Sequence, residues 1–257
     1  MPNTPSSLVT VILAAGQGKR MQDPTKPKVL YELAGKPLVG HVLDLAQAVG
    51  SNRIITIVGF GREKVMEYVS SVAPNSEFAI QDKQLGTGHA LQQTTELLNG
   101  YDGTILILYG DVPLLRQETI TKLLETHRKE GARATVLSAI YEDPTGYGRI
   151  VRTADGKHLD SIVEERDASA EIKAIKEMNS GIYVFDSKVL FSFLDLLQAN
   201  NNQAEYYLTD VFAMIVNKFG EDSVSIFTTD LPIEVSGVNT KDQLSELERY
   251  YLESVSA

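Results

Sequence analysis

The stretch LAAGQGKRMQDPTKPKVL, residues 13–30, combines residue types that suit the binding of a polyanion. Gly16 and Gly18 follow an apolar run, and the backbone N–H groups of a glycine turn can point together at one anion. Residues 17–36 include five basic and two acidic side chains, although the whole chain has a formal net charge of −10. This local positive excess indicates a focused anion site. The alternative is an ordinary solvated loop, and the charge pattern taken alone favours the solvated loop over the anion site.

The glycine spacing excludes two common phosphate-binding motifs. Met21 stands where a dinucleotide fingerprint has its third glycine, which disfavours a nicotinamide-dependent dehydrogenase, and no G-x-x-x-x-G-K-[ST] sequence occurs. The loop nevertheless follows the first predicted strand, and open α/β sheets bind ligands beyond the carboxyl ends of their strands. Arg20 and Lys28 could add fixed positive charge to such a phosphate site. A tight turn that ends the strand is the alternative.

Asp111 ends TILILYGD, the most apolar strand candidate. A carboxylate at this edge of a sheet, opposite a phosphate loop, suits Mg²⁺ bound to substrate phosphates. The alternatives are a cap for the helix predicted from Gln117 and a turn before that helix. QLGTGHA, residues 84–90, allows either a close backbone approach to a ligand or a tight loop that enters a helix. The histidines are scattered, and we assign none of them, His89 included, a catalytic role.

Apolar and amphipathic segments alternate along the first 140 residues. Strands are predicted at 8–16, 53–59, 77–80, 104–111 and 133–140, and helices at 36–50, 62–70, 88–98 and 117–130. Further strands are predicted at Ile150, 161–163 and 181–185, and further helices at 187–198, at 208–219 and from Thr240, with Gln243 in a capping box. This alternation predicts an α/β fold, Rossmann-like, with a mixed, mostly parallel sheet flanked by helices.

The composition is that of a soluble globular protein, with 43% hydrophobic and 23% charged residues among 257. The apolar runs are too short to span a bilayer, and MPNTPSS does not resemble a secretory signal. The absence of cysteine excludes disulfides and thiolate chemistry and is compatible with a reducing cytoplasm. The acidic net charge argues against nucleic-acid and membrane partners. We therefore expect a cytoplasmic protein with small-molecule partners.

Eight segments in chain order carry a resemblance to a known family. They are LAAGQGKRM…PKVL, QLGTGHA, LYGDVPLL, DPTGYGRI, IVEERDA, NSGIYVF, NNNQAEYYLTD and VSGVN. Together they resemble the uridylyltransferase (pyrophosphorylase) domain of bacterial N-acetylglucosamine-1-phosphate uridylyltransferases, from about Leu8 to the last helix. The first segment is specific only for sugar nucleotidyltransferases in general, whereas QLGTGHA with DPTGYGRI indicates the N-acetylglucosamine branch.

The resemblance implies a nucleotide-diphospho-sugar transferase fold and a role for each matching position. The nucleotide would lie on Leu13, Ala14, Ala15 and Gly16, and its phosphates would contact Arg20 and Lys28. Uracil would contact Gln81, Gly86 and Thr87, and the ribose and metal side would lie at Tyr109, Gly110 and Asp111. The amino sugar would contact Gly148, Glu164 and Asn179, and Mg²⁺ would be held by Asp111 and Asn239. The implied domain occupies residues 1–257, with a mainly nucleotide-binding half at 1–142, a mainly sugar-binding half at 143–239 and a terminal helix at 240–257.

Some positions depart from the family pattern. Lys19 stands where Thr or Ser is usual, NSG replaces the commoner NTG, and Lys241 stands where Arg is frequent. Bifunctional members continue into a β-helix of hexapeptide repeats that carries an acetyltransferase, and no such repeats occur here. We therefore expect no acetyltransferase activity. Because the trimers of the family are associated with the β-helix, a monomer and a weak dimer both stay open.

The implied reaction joins UTP and N-acetylglucosamine 1-phosphate, with Mg²⁺, to give UDP-N-acetylglucosamine and pyrophosphate. One alternative is a related nucleotidyltransferase that uses another sugar phosphate or nucleotide. A second alternative is a non-catalytic homologue that only binds nucleotide sugars. Such a homologue is expected to lose its charged residues at the glycine loop and the metal position, and Arg20, Lys28, Asp111 and Asn239 are all present.

Overall fold

The computed structural model describes residues 7–21 and 23–256. The first six residues, which the sequence predicts not to form a secretory signal, lie outside the described residues. So does the side chain of Lys19, whose effect on the local charge stays a prediction. None of the helices in the described parts of the chain is long and apolar enough to cross a membrane.

Strands and helices follow one another along the chain. The strands are β1 (Leu8–Ala14), β2 (Glu32–Leu33), β3 (Lys36–Pro37), β4 (Arg53–Val58), β5 (Glu77–Ile80), β6 (Thr104–Tyr109), β7 (Ala134–Ile140), β8 (Arg149–Arg152), β9 (Leu159–Val163), β10 (Glu177–Asp186) and β11 (Val224–Thr228). The α-helices are α1 (Leu38–Ala48), α2 (Arg62–Val72), α3 (Thr87–Gln92), α4 (Gln117–Glu130), α5 (Ala170–Lys173), α6 (Ser187–Leu194), α7 (Asp210–Phe219) and α8 (Lys241–Ser256). Two 3₁₀ turns, Lys19–Met21 and Lys28–Leu30, flank the basic loop.

The sheet is mixed and mostly parallel, which confirms the predicted fold class. Its main strand order is β11-β7-β10-β6-β1-β4-β5, and β10 runs antiparallel to both of its neighbours while the other adjacent strands are parallel. The antiparallel hairpin of β8 and β9 attaches to β10. Strand order reverses beside β1, because β4 and β5 lie on one side of it and β6 on the other. Crevices at such reversals are where open α/β sheets bind their ligands.

The central strands are buried on both faces, as parallel strands covered by helices must be. Every residue of β1 is buried, and its side chains alternate between two apolar clusters on opposite faces of the sheet. A third cluster joins the end of the glycine loop to the terminal helix, since Met21, with 1% of its surface exposed, packs with Val238 and with Leu247 of α8. The end of the loop after β1 is therefore held both by the segment before α8, through Val238, and by α8 itself, through Leu247.

Several boundaries differ from the sequence predictions. The helix predicted at 88–98 is wrong in its length, because α3 ends at Gln92 and the chain continues in turns. The hydroxyls of Thr94 and Thr95 donate to the carbonyls three residues earlier, and such local bonds compete with helix continuation. The helix predicted at 187–198 likewise ends early, at Leu194. β11 and the hairpin of β2 and β3 were not predicted.

The capping box at the start of α8 is confirmed. Thr240 Oγ1 accepts a hydrogen bond from the Gln243 backbone N–H at 3.2 Å, and Gln243 Oε1 accepts one from the Thr240 N–H at 3.2 Å. Gln243 Oε1 also accepts from the Asn239 N–H at 2.8 Å. The backbone of Asn239 is thereby fixed to the first turn of the helix.

Candidate active site

A cleft opens at the carboxyl ends of β1 and β6. It consists of an inner cavity of about 400 Å³ and an adjoining outer cavity of about 680 Å³ that shares Gly16, Arg20, Lys28 and Asn239 with it. A space of this size suits a small-molecule ligand. Fifteen of the sixteen residues predicted from the sequence line the inner cavity, namely Leu13, Ala14, Ala15, Gly16, Arg20, Lys28, Gln81, Gly86, Thr87, Tyr109, Asp111, Gly148, Glu164, Asn179 and Asn239. The fold thus brings together positions that are up to 226 residues apart, a separation given by their numbers.

Gly110 is the predicted residue that does not line the cavity. It is buried behind the wall, where its N–H donates to the Leu13 carbonyl at 3.0 Å. A Cβ atom added at Gly110 would lie 3.2 Å from Val29 Cγ1 and 3.3 Å from the Leu13 carbonyl oxygen. The structure therefore gives Gly110 a packing role between the two central strands, and direct substrate contact by Gly110 stays a prediction.

At one end of the cleft, two positively charged side chains contact a carboxylate and an amide. The Lys28 ammonium forms an ion pair with Asp111 Oδ2 and donates to Asn239 Oδ1 at 3.0 Å. The Arg20 guanidinium also donates to Asn239 Oδ1 at 3.0 Å. The Val238 N–H donates to the Asp111 carbonyl at 2.9 Å, which fixes the segment after β6 to the segment before α8. The cap interpretation of Asp111 is wrong, because the N-terminal cap position of α4 is Arg116.

The acid–amide pair fits a divalent cation of the magnesium type. One carboxylate oxygen of Asp111 and one amide oxygen of Asn239 lie within hydrogen-bond distance of the same Lys28 nitrogen, so both point into one small volume. Within residues 7–21 and 23–256, no group of three or more His, Cys, Asp or Glu side chains is arranged to hold a metal ion. Mg²⁺ is commonly bound by one or two protein oxygens together with substrate phosphates and waters. The donor set therefore suits an ion that arrives with a phosphate ligand.

The glycine loop is shaped by close packing at one glycine and by open space at the other. Gly18 has a φ of +61°, and a Cβ atom there would lie 2.6 Å from Lys28 Cβ. Gly18 thus allows the loop to lie directly against Lys28, whose ammonium group pairs with Asp111. Gly16 has no atom within 4 Å of the position of a Cβ, so its side of the loop is open to the cleft.

An amide lies at a second end of the cleft. Gln81 is buried, with 3% of its surface exposed, and its Nε2 donates to the Gly86 carbonyl at 3.0 Å and to His89 Nδ1 at 3.1 Å. Gly86 has a φ of +106°, and a Cβ atom there would lie 2.6 Å from the Tyr206 carbonyl oxygen. The Gln84 side chain donates to the Gln81 carbonyl at 3.1 Å and lines both cavities.

The third end of the cleft carries a half-buried carboxylate. Burial, together with the nearby carboxylates of Asp210, Asp167 and Glu205, raises the pKa of Glu164, although Thr209 Oγ1 donates to Glu164 Oε1 at 3.2 Å and acts in the opposite direction. A carboxylate with an unused oxygen in a cleft can accept hydrogen bonds from ligand hydroxyls.

Asn179 and Gly148 complete this end of the cleft. The Asn179 side chain donates to Tyr183 Oη at 2.7 Å and accepts from the Gly181 N–H at 3.1 Å, so its orientation is fixed from beneath. A Cβ atom at Gly148 would lie 3.4 Å from Glu164 Oε2 and 3.5 Å from Asn179 Cβ. Gly148 therefore keeps the space between the two polar side chains open.

Several lining residues were not predicted from the sequence. They are Val29, Gln84, Ala90, Val112, Gly146, Tyr147, Ser180, Gly181, Tyr183, Glu205, Thr209, Val235 and Gly237. Gln84 could have been found, because it lies three residues after Gln81 in the same polar loop. Glu205 and Thr209 lie within the segment NNNQAEYYLTD, but nothing local indicates their proximity to Glu164.

Comparisons with known proteins identify relatives of this chain. Residues 9–230 match the profile of the family described as Nucleotidyl transferase. The chain is 46% identical over 239 residues to the bifunctional protein GlmU of Geobacillus thermodenitrificans, covering 93% of this chain and 50% of that protein. It is 45% identical over 243 residues to the bifunctional protein GlmU of Bacillus cereus, covering 95% of this chain and 51% of that protein. The chain thus spans about half the length of the curated relatives it matches.

A solved structure supports the fold. The crystal structure of a Bacillus anthracis protein described as a glucose-1-phosphate thymidylyltransferase has a TM-score of 0.76 to this chain, with 22% sequence identity and coverage of 95% of each chain. Nucleotidyl transferases of the matching group generally use a divalent metal ion. The fold, the family profile and the relatives together show that this chain belongs to the nucleotidyl transferase family.

Proposed function

We propose that this chain transfers a uridylyl group from UTP to N-acetyl-α-D-glucosamine 1-phosphate and forms UDP-N-acetylglucosamine and pyrophosphate. The observation that carries the proposal is the convergence of four features in one cleft: a cationic glycine loop, an acid–amide pair, a buried amide and a half-buried carboxylate. The family match and the GlmU relatives support the same reaction. The resemblance noted in the sequence also implies this reaction.

The chemistry would be an in-line displacement at the α-phosphorus of UTP. An oxygen of the sugar phosphate forms a new bond to phosphorus, and the bond from phosphorus to the bridging oxygen breaks, so that its electron pair leaves with pyrophosphate. The sugar phosphate is already an anion at neutral pH, and its attacking oxygen needs no general base. Catalysis then depends on positioning and on charge stabilisation.

The residues at the cationic end would supply that charge stabilisation. Asp111 and Asn239 would hold Mg²⁺, which when bound would supply positive charge that offsets the negative charge of the reacting phosphates. Lys28, which lies against both side chains, would reach the α-phosphate. Arg20 is more exposed and would, with the glycine-loop amides, hold the β- and γ-phosphates and stabilise the leaving group.

The other two ends would select the substrates. Leu13, Ala14, Ala15 and Gly16 would lie along the nucleotide, with Gln81, Gly86 and Thr87 at uracil, Tyr109 at the ribose, and Gly148, Glu164 and Asn179 at the amino sugar. We also propose the division of labour expected from the sequence, with nucleotide binding mainly in residues 1–142 and sugar binding mainly in residues 143–239. A cytoplasmic location is proposed because UTP is supplied there.

The decisive experiment measures pyrophosphate release with UTP, N-acetylglucosamine 1-phosphate and Mg²⁺. We expect this pair to give the highest kcat/KM among combinations of UTP, TTP, CTP or GTP with several sugar 1-phosphates, and EDTA to abolish release. A higher kcat/KM for another pair would favour a related nucleotidyltransferase. Binding of UDP-N-acetylglucosamine without release of pyrophosphate for any pair would favour a non-catalytic homologue.

A further inference from the structure

We propose that His89 is a positioning residue that fixes which end of the Gln81 side-chain amide faces the nucleotide base, and that it thereby favours uracil over cytosine. The inference rests on the proposed function, because it requires that the base of the nucleotide lies against Gln81. It assigns a role to a histidine that the sequence left without one.

The orientation of the Gln81 amide follows from its two partners. The Gly86 carbonyl oxygen, 3.0 Å from Gln81 Nε2, can only accept a hydrogen bond. His89 Nδ1, 3.1 Å from the same nitrogen, must then also accept, because an amide nitrogen has two N–H donors and no acceptor. With the amide reversed, Oε1 would face the Gly86 carbonyl oxygen with no hydrogen between them, and it could bond to His89 only if Nδ1 carried the ring proton. Both hydrogens of Nε2 are therefore consumed by the scaffold.

The surroundings of His89 favour the state that can accept at Nδ1. A neutral imidazole with its proton on Nε2 has an acceptor at Nδ1, whereas the charged ring has none. Burial lowers the pKa of His89, which favours the neutral ring. Gln93 Nε2 donates to the His89 carbonyl at 3.0 Å and lies 3.4 Å from His89 Nε2. With the proton on His89 Nε2, the second contact is not a hydrogen bond, because both nitrogens are then donors. Tyr206 faces the ring with the two centroids 6.3 Å apart.

The consequence for a ligand is that Gln81 presents an acceptor. Within the described residues, no hydrogen bond to Gln81 Oε1 is formed, and Gln81 lines the inner cavity. Uracil carries a hydrogen on N3 and can donate it to Oε1. Cytosine carries a lone pair on N3, which would leave two acceptors facing each other. An unpaired buried polar group is costly, and sites built on such a bond discriminate strongly against the wrong ligand.

The test compares His89→Leu with His89→Asn. Leucine removes the acceptor, whereas asparagine can place its Oδ1 where Nδ1 lies and retain it. We expect His89→Leu to lower the ratio of kcat/KM for UTP to kcat/KM for CTP by roughly 3- to 10-fold, since one neutral hydrogen bond is lost while Gly86 still holds the amide. We expect His89→Asn to keep the ratio within about twofold of the wild-type ratio. The ratio is measured within one preparation, so partial unfolding of a variant cancels.

A matched control and a second measurement keep the outcomes distinct. His158→Leu removes a histidine that pairs with Asp222 away from the cleft, and it should leave the ratio unchanged. An unchanged ratio in His89→Leu, an equal fall for both nucleotides, an equal loss in His89→Asn, or a wild type that does not prefer UTP would each overturn the proposal. If the wild type releases no pyrophosphate, the proposed function fails. The Kd ratio for UTP and CTP in the same proteins then still decides the role of His89.

Discussion

The Lys28 ammonium occupies a position between the two side chains that would hold a metal ion. Its charge offsets that of Asp111, whose side chain is 13% exposed, and it donates to Asn239. A divalent cation that binds both oxygens must therefore displace a charge that already belongs to the chain. A phosphate ligand would ease this exchange, because the ammonium could move to a phosphate oxygen. Metal and nucleotide are accordingly expected to bind more tightly together than apart.

This competition gives a prediction for Lys28→Met. We expect the variant to bind Mn²⁺ more tightly than the wild type in the absence of nucleotide, because the Asp111 oxygen is released from its ion pair and the Asn239 oxygen keeps only its hydrogen bond from Arg20. We also expect its kcat to fall roughly 10²- to 10³-fold, since one preorganised charge is lost from the transition state. Electron paramagnetic resonance of free Mn²⁺ measures the first effect, and pyrophosphate release measures the second.

The control for this prediction lies in the same loop. Lys26 is placed over the ring of Tyr31, 4.9 Å from its centroid, and Lys26→Met should change neither measurement appreciably. The double variant Lys28→Met, Asp111→Asn should lose the gain in Mn²⁺ affinity. Unchanged Mn²⁺ binding in Lys28→Met, or retained tight binding in the double variant, would contradict the assignment of Asp111.

At this scale the sequence indicated the residue types but not their contacts. The charges of Arg20 and Lys28 taken alone favoured a solvated loop over a phosphate site, because their shared partner Asn239 lies 219 and 211 residues further along the chain. No local spacing reports such a distance. The resemblance to a family supplied Asn239, whereas His89 stayed unassigned because a single histidine carries no pattern of its own.

Among the elements, the glycine loop after β1 depends on one residue that has no side chain. Gly18 has a left-handed φ of +61° and lies against Lys28, whereas Gly131, at the end of α4, has a nearly equal φ of +63° with no atom near the position of its Cβ. A substitution at Gly131 therefore measures the cost of a left-handed conformation alone, whereas a substitution at Gly18 adds the cost of a steric clash with Lys28.

We predict that Gly131→Ala lowers the free energy of unfolding by about 1 kcal/mol, because alanine disfavours a positive φ. Gly18→Ala should lower it by more, because the added methyl group would also lie 2.6 Å from Lys28 Cβ. In Gly18→Ala we expect in addition a fall of at least about tenfold in kcat/KM for UTP, since Lys28 must shift. Chemical denaturation and the pyrophosphate assay measure the two effects. Equal kcat/KM in the two variants would show that the packing of Gly18 against Lys28 does not matter for the reaction.

The elements that were predicted well are those whose patterns are strong. The strands β1, β4 and β6 are long apolar runs, and α4 was predicted with both of its boundaries because Gly131 ends a clear amphipathic pattern. β11 was missed because it lies at an edge of the sheet and buries only part of its length. The end of α3 was missed because the hydroxyl bonds of Thr94 and Thr95 are not visible in an amphipathic pattern.

For the molecule as a whole, stability depends on a histidine far from the cleft. His127 of α4 is buried, contacts Thr135 of β7 through a hydrogen bond of 2.9 Å, and has its pKa lowered to about 4 by burial. The unfolded chain has the ordinary value near 6.5 and therefore binds a proton first as the pH falls. Stability from the neutral histidine is present above pH 6.5 and is lost as the pH falls from about 6.5 to about 4.

We predict that His127→Gln reduces this pH dependence. Between pH 6.5 and pH 4, the wild type should lose about 2–3 kcal/mol more of its free energy of unfolding than the variant does. Urea denaturation at a series of pH values measures the difference. Identical slopes in His127→Gln and the wild type would show that this histidine is not held neutral.

The sequence predicted the fold class of the whole molecule and left its oligomeric state open. The alternation of elements predicted a mixed sheet, and the order β11-β7-β10-β6-β1-β4-β5 confirms it. The antiparallel placement of β10 could not be predicted, because strand direction depends on how the chain crosses the sheet and not on the strand's own residues. The predicted division at residue 142 stays a prediction, although strands from both sides of it share one sheet.

The anchoring of Asn239 to the first turn of α8 has a consequence for the order in which these contacts form during synthesis. Asp111 and the basic loop leave the ribosome before the Asn239 amide that faces them, and Leu247, which packs on Met21, follows later still. A nascent chain that has already released the strands of the sheet therefore still lacks the hydrogen bonds from Lys28 and Arg20 to Asn239, which form only after the start of α8 has emerged.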